Sequence, residues 1–208
     1  MSRLERLDSR YRAHHGGRKE FVFGADERAG LIASLVGGPG LRVLDLGCRT
    51  GALTQHYAEG NEVVGVDVDR TALEQAVERL GIETVWADVE EGLPFDDASF
   101  DVVVAGELLE HLADPAAAVA NVSRVLKPGG RFVGSVPNAF RLKSRLRYLA
   151  GRHPETDATH LQLFTPVALR ALLAGFDDVD VVFAVGRYVQ LQRRLMARVQ
   201  VFSARKPR

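Results

Sequence analysis

The chain has 208 residues, 46% of them hydrophobic and 26% charged, and its 27 basic and 27 acidic side chains cancel. That length can bury a full core but is short for two ordinary domains, so one domain spanning 1–208 is expected. Apolar runs are too short to cross a bilayer, Met1–Arg12 carries charges without an apolar signal core, and the lone Cys48 has no internal disulfide partner, so a cytoplasmic protein is expected.

Taken in chain order, apolar runs at 41–46, 63–66, 83–87, 101–105 and 131–136 are expected strands. Helices are expected over 26–36, 51–59, 70–80, 115–126 and 165–174. Asp69 and Thr165 have N-cap chemistry, and Pro115 and Pro166 suit a first helical turn. Such alternation implies a parallel sheet with helices on both faces. Beyond Phe176, Val179–Val185 and Val199–Ala204 are expected to close the sheet as a hairpin around a helical insert.

Residues 43–51, Val-Leu-Asp-Leu-Gly-Cys-Arg-Thr-Gly, form an apolar strand ending in an acid and then a glycine turn. A dinucleotide would bring pyrophosphate to this turn, which Asp45 repels, and the complete G-x-G-x-x-G spacing is missing. S-adenosylmethionine (SAM) would instead bring an ammonium and a sulfonium, which Asp45 attracts. The next two strands also end in acids, Asp67 and Asp88, placed for ribose hydroxyls and for an adenine amino group.

On these residues the chain resembles the class I SAM-dependent methyltransferases. Val43–Gly51, Gly65-Val66-Asp67 and Ala87-Asp88-Val89 are similar to that family's first three strand ends. Phe100–Val104 with Glu107–His111, and Leu126–Gly130 before Arg131–Val136, resemble its fourth and fifth strands. The resemblance implies a Rossmann-like, doubly wound, mostly parallel seven-stranded sheet in the order 3-2-1-4-5-7-6 with an antiparallel last strand. It also implies a helical N-terminal cover over about 1–36, including Tyr11, His14, His15 and Phe21, and a lid-like insert over about 138–164. SAM would be the cofactor and S-adenosylhomocysteine the product. Asp45, Gly47 and Gly51 would hold the methionine end, Asp67 the ribose, and Asp88 with Val89 the adenine, with Cys48, Val68 and Glu107 completing the set.

Arg49 stands where the family usually has glycine. One reading points it outward to solvent; the other has it weaken cofactor binding, which invites a SAM-binding regulatory protein without transfer activity. The segment Glu107-Leu-Leu-Glu110-His111, if helical, would put two carboxylates and an imidazole on one face. That face could hold a divalent metal, although none is expected; the simpler reading has Glu107 near the cofactor, Glu110 solvated and His111 packed.

Together with Thr159-His160 before Phe164, this pattern is similar to the ubiquinone-biosynthesis O-methyltransferases and their small-molecule relatives. It implies a small-molecule acceptor, methylated at oxygen, with His111 and His160 as catalytic candidates. A metal-assisted O-methylation of a catechol-like or lipophilic acceptor is the alternative.

Charge is divided along the chain. Residues 1–138 hold 14 Lys+Arg against 22 Asp+Glu, whereas residues 139–208 hold 13 against 5. Within the basic third, 139–152 interleaves five basic residues with Phe140, Leu142, Leu146, Tyr148 and Leu149, a composition suited to peripheral contact with an anionic membrane or to a helix packed over the site. No recognised nucleic-acid module accompanies it, so no specific nucleic-acid partner is expected. The sequence leaves the oligomeric state open.

Overall fold

A computed structural model describes residues 1–15, 25–154, 157, 159–186 and 188–208. Helices α1 (Arg3–His15) and α2 (Ala25–Val36) precede strand β1 (Arg42–Leu46). Strands β2 (Glu62–Asp67) and β3 (Glu83–Trp86) flank α3 (Arg70–Leu80). Helix α4 (Pro115–Val125) joins β4 (Phe100–Gly106) to β5 (Leu126–Pro137), and α5 (Leu142–Leu149) and α6 (Pro166–Leu172) follow. The chain ends in β6 (Asp177–Ala184), α7 (Arg193–Met196) and β7 (Val199–Arg205).

The sheet has the order β3-β2-β1-β4-β5-β7-β6. β7 runs antiparallel to both β5 and β6, and the remaining pairs are parallel. The expected fold class is therefore the observed one. Strand residues alternate between two apolar clusters: Val43, Val102, Val104 and Val133 pack with Ile32 and Val36 of α2. Leu44, Leu46, Val103 and Phe132 pack on the other face with Val119, Val122 and Leu169 of α4 and α6. Burial on both faces explains why these strands are continuous apolar runs.

Several boundaries follow local chemistry. Asp69 accepts a hydrogen bond from the Ala72 N–H, and Gly81 closes α3 in the left-handed region at φ 65°. Asp114 caps α4 ahead of Pro115, and Thr165 caps α6 ahead of Pro166. β5 starts earlier than expected, because Leu126 already pairs with Phe100 before the register shifts at Val102.

Two expected helices are corrected. Instead of a helix over 51–59 there is one 3₁₀ turn, Thr54–His56, capped by Tyr57. In a 3₁₀ turn residues three apart eclipse, so Thr54 and Tyr57 both reach inward to Asp45. The Thr54 hydroxyl donates to Asp45 Oδ2 at 2.6 Å and the Tyr57 hydroxyl donates to the same oxygen at 2.8 Å. The segment 107–111 is likewise not a helix. Glu107 sits in the left-handed region at φ 58° with its N–H donating to the Ser135 carbonyl, and only Leu109–His111 makes a 3₁₀ turn.

Candidate cofactor and acceptor site

The strand order reverses between β1 and β4, and an open α/β sheet binds ligands in the crevice beyond the carboxyl ends of its strands at such a point. A cavity of about 290 Å³ lies there, lined by Asp45, Gly47, Asp67, Asp88, Glu107 and His111 among others.

Asp45 is buried on β1, and burial pushes its pKa up to about 6, against the pull of its Thr54 and Tyr57 bonds. Gly47 turns the chain at φ 72°, its N–H donating to the Val66 carbonyl at 2.7 Å. Asp67, the last residue of β2, ties the turn down: Oδ2 accepts from the Arg49 N–H at 3.0 Å and Oδ1 from the Asp69 N–H at 2.9 Å. Its pKa too rises to about 6, chiefly through burial. Val68 lines the cavity while its carbonyl accepts the Trp86 indole N–H at 2.9 Å.

Asp88 and Val89 line the third side. Asp88 Oδ1 accepts from the Glu90 N–H, and Oδ2 lies 2.9 Å from Arg3 Nε. Arg3 also pairs with Glu90 at 2.6 Å, so α1 is strapped across this end of the cavity. Leu7 and Tyr11 of the same helix line it. The side chain of His15 and all of Phe21 lie outside the described residues.

Three residues of the glycine turn are placed differently from one another. Gly51 is not among the residues lining the cavity; a Cβ there would meet Leu80 Cδ1 at 2.6 Å, so this glycine serves packing against α3. Cys48 touches the cavity but buries its thiol against Gly65, where an added Cβ would meet Sγ at 2.6 Å. Arg49, at φ 48°, does not turn out to solvent: it lines the cavity and its Nε is buried.

The cavity also takes residues from β4, α2 and the 107–111 turn. Glu107 lines the cavity with Oε1 3.6 Å from Arg28 Nη1. Arg28 is buried on α2 and donates to the Ser135 hydroxyl at 3.2 Å, while its Nε has no partner among the described residues. Nothing in the spacing of α2 flagged Arg28. A buried guanidinium with an unused donor in a cavity suits a ligand carboxylate.

His111 Nδ1 lies 3.2 Å from the Thr159 carbonyl. A carbonyl only accepts, so Nδ1 carries the proton and Nε2 presents a lone pair. Burial, and then the neighbouring His160, push the His111 pKa down to about 4. His160 does not line the cavity but stacks edge-on to His111, ring centroids 4.8 Å apart. Glu110 is not solvated: it is buried, and ligand atoms of Glu110, His111 and His160 all lie within 4.8 Å of one another. The candidate metal face is thus Glu110-His111-His160, with Glu107 on the cofactor side. Asp157 links this corner to α1, accepting from the Thr159 hydroxyl at 2.7 Å and lying 3.5 Å from His14 Nε2.

Comparison with known proteins bears on the same segment. A methyltransferase domain is matched over residues 44–134. The ubiquinone biosynthesis O-methyltransferase of Hahella chejuensis is 42% identical over 129 residues, covering 58% of this chain and 49% of that protein. The enzyme of the same name from Alkalilimnicola ehrlichii is 38% identical over 118 residues, covering 53% and 48%. The chain therefore spans about half the length of these curated relatives. Among solved structures, the N-methyltransferase NodS from Bradyrhizobium japonicum WM9, in complex with S-adenosylhomocysteine, superposes with a TM-score of 0.67 at 20% identity, over 99% of this chain and 97% of that one, a likeness of fold. The matched stretch runs from β1 into β5 and holds the five carboxylates that line the cavity, Asp45, Asp67, Asp88, Glu90 and Glu107, and over it the chain carries a class I SAM-dependent methyltransferase domain.

Proposed function

We propose that this domain transfers a methyl group from SAM to an oxygen of a small-molecule acceptor. The observation that carries the reading is one cavity at the β1/β4 switch point lined by strand-end carboxylates together with a neutral histidine. When bound, SAM supplies an electrophilic methyl group and leaves as S-adenosylhomocysteine.

The chain's own residues fit that ligand. Arg28 offers its Nε, which has no partner among the described residues, to the carboxylate, Asp45 faces the ammonium, and Asp67 receives the ribose hydroxyls. α1 closes over them with Leu7 and Tyr11 and excludes water. His111 Nε2, its lone pair directed by the Thr159 bond, takes the proton from the acceptor hydroxyl, and His160 positions it. The names of the curated relatives support oxygen as the acceptor atom. A second reading rests on the Glu110-His111-His160 group, which would hold a divalent ion that lowers the pKa of an acceptor diol.

Calorimetric titration with SAM and S-adenosylhomocysteine should show binding of both and none of NAD. Turnover should then appear with phenols or catechols, and addition of Mg²⁺ or EDTA decides the metal reading. Turnover of amines alone sinks the oxygen assignment, and tight SAM binding without turnover of any acceptor favours a regulatory protein. Full-rate turnover by His160→Ala removes that residue from the reaction.

The carboxylate pKa values give a pH dependence with a definite sign. Asp45 and Asp67 ionise at about 6 in the folded protein. A cationic ligand needs them ionised, so SAM affinity should be level at neutral pH and fall below pH about 6, by up to about tenfold per unit for each group. In the free protein the linkage runs the other way: carboxyls with raised native pKa values stabilise the fold at low pH, and that contribution is lost as pH rises through about 6. An affinity that stays level to pH about 5 would show that neither carboxylate meets the ligand as an anion.

A further inference from the structure

Helix α5 is turned inside out relative to an ordinary surface helix. Its only buried residue is Ser144, whereas Leu142, Leu146 and Leu149, spaced to form one stripe, face solvent, Leu149 being 80% exposed. Tyr148 beside them is exposed as well.

A second segment joins this face. Between β6 and β7 the chain makes an excursion through α7, and Leu191 at its tip is 84% exposed, with Tyr188 exposed nearby. Buried Asn138, at the start of the α5 segment, fastens the two together. Its Nδ2 donates to the Arg194 and Ala197 carbonyls, both at 2.9 Å, and its N–H donates to the Arg198 carbonyl at 2.8 Å.

Between them lies a groove of about 680 Å³ whose walls include Leu146 and Met196 and whose rim carries Arg141, Arg147, Arg152 and Arg198. It shares no lining residue with the cofactor cavity. Neither 139–154 nor 181–208 contains a single Asp or Glu. Arg141 stands close enough to Arg198 that its charge, after burial, lowers the Arg198 pKa. An anion seated between such guanidiniums relieves their repulsion.

We propose that α5 and the 186–198 excursion form a docking surface for an anionic phospholipid bilayer, with Leu146, Leu149 and Leu191 entering the headgroup boundary and the arginine-rimmed groove receiving lipid phosphate. Interfacial binding needs this pairing of exposed aliphatic side chains with a basic surround. A second copy of the chain is a poor occupant, because a two-fold contact through this face would set like charges against each other without an acid to offset them. Nucleic acid would use the basic residues but leaves the leucine tips without a role.

The test is flotation of the full chain with vesicles of phosphatidylcholine containing about 30% phosphatidylglycerol, at an ionic strength of about 0.15 M, beside vesicles of phosphatidylcholine alone. Flotation is expected with the anionic vesicles only. The double variant Leu149→Asp/Leu191→Asp and the double variant Lys143→Glu/Arg194→Glu should each lower partitioning at least about tenfold. All four side chains are exposed, so melting temperatures should match wild type, a check that does not depend on methyl transfer. Four outcomes overturn the proposal: no flotation, equal flotation on neutral vesicles, undiminished partitioning of the leucine variant, or a wild-type dimer or RNA complex that the leucine variant abolishes.

Discussion

Asp67→Ala is expected to weaken SAM binding about a hundredfold or more. Two charge-assisted hydrogen bonds to ribose hydroxyls, at about 1.5–3 kcal/mol each, account for a loss of that size. The same carboxylate ties the turn to β2 through the Arg49 and Asp69 N–H groups, so its removal also leaves two donors unpaired and frees the segment that shapes the cavity. Asp67→Asn keeps the shape and one acceptor oxygen while removing the charge. Titration of both variants beside wild type separates the charge from the anchoring: if Asn retains most of the affinity and Ala loses it, the anchor dominates. An Asp67→Ala protein that binds SAM within threefold of wild type would remove the ribose assignment.

The largest stability effect is expected at Gly134, in the middle of β5 between Ala105 of β4 and Phe202 of β7. A Cβ there would stand 2.5 Å from the Ala105 carbonyl oxygen and 2.5 Å from the Phe202 ring. The carbonyl belongs to a paired strand and cannot retreat without breaking the ladder. Gly134→Ala should therefore cost about 3 kcal/mol, lowering the melting temperature by roughly 6–12 °C in a chain of this size. Gly30, inside α2 with nothing within 4 Å of its missing Cβ, is the control. There the same substitution should stabilise by about 0.5–1 kcal/mol, because alanine favours the helix. Differential scanning calorimetry of the two variants reads both signs in one experiment. A Gly134→Ala melting temperature within a degree of wild type would contradict the close approach of β4, β5 and β7.

Much of the acidic lining of the cavity is legible in the sequence, and for local reasons. Strand-end acids at 45, 67 and 88 stand one turn from apolar runs whose length and composition already say strand, and an N-cap such as Asp69 acts on a donor three residues away. The turn after β1 is harder. Its glycines predict a helix opening at 51, but Thr54 and Tyr57 obey Asp45, which sits on a different element, and the chain takes a 3₁₀ turn to satisfy it. The helix expected at Glu107–His111 fails for the same kind of reason: the Ser135 carbonyl and Arg28 hold Glu107 in a left-handed conformation that no helix can begin from.

The amino-acid sequence by itself determined the sheet strands, the caps at Asp69 and Thr165, the family resemblance and the acids that line the cavity, because periodicity and capping are settled by residues a few positions apart. Only the tertiary structure decided which distant residues share a site. The order of the sheet sets β4 beside β1 and so brings Glu107 and His111 into the cavity that Asp45 lines, and packing of α2 on the sheet buries Arg28 against the same cavity. It also withdrew Gly51 from the cavity to make room for Leu80, buried Glu110 beside two histidines, and used Asn138 to join α5 to the 186–198 excursion. These outcomes rest on contacts between segments far apart in the chain, which the pattern along any one segment does not encode.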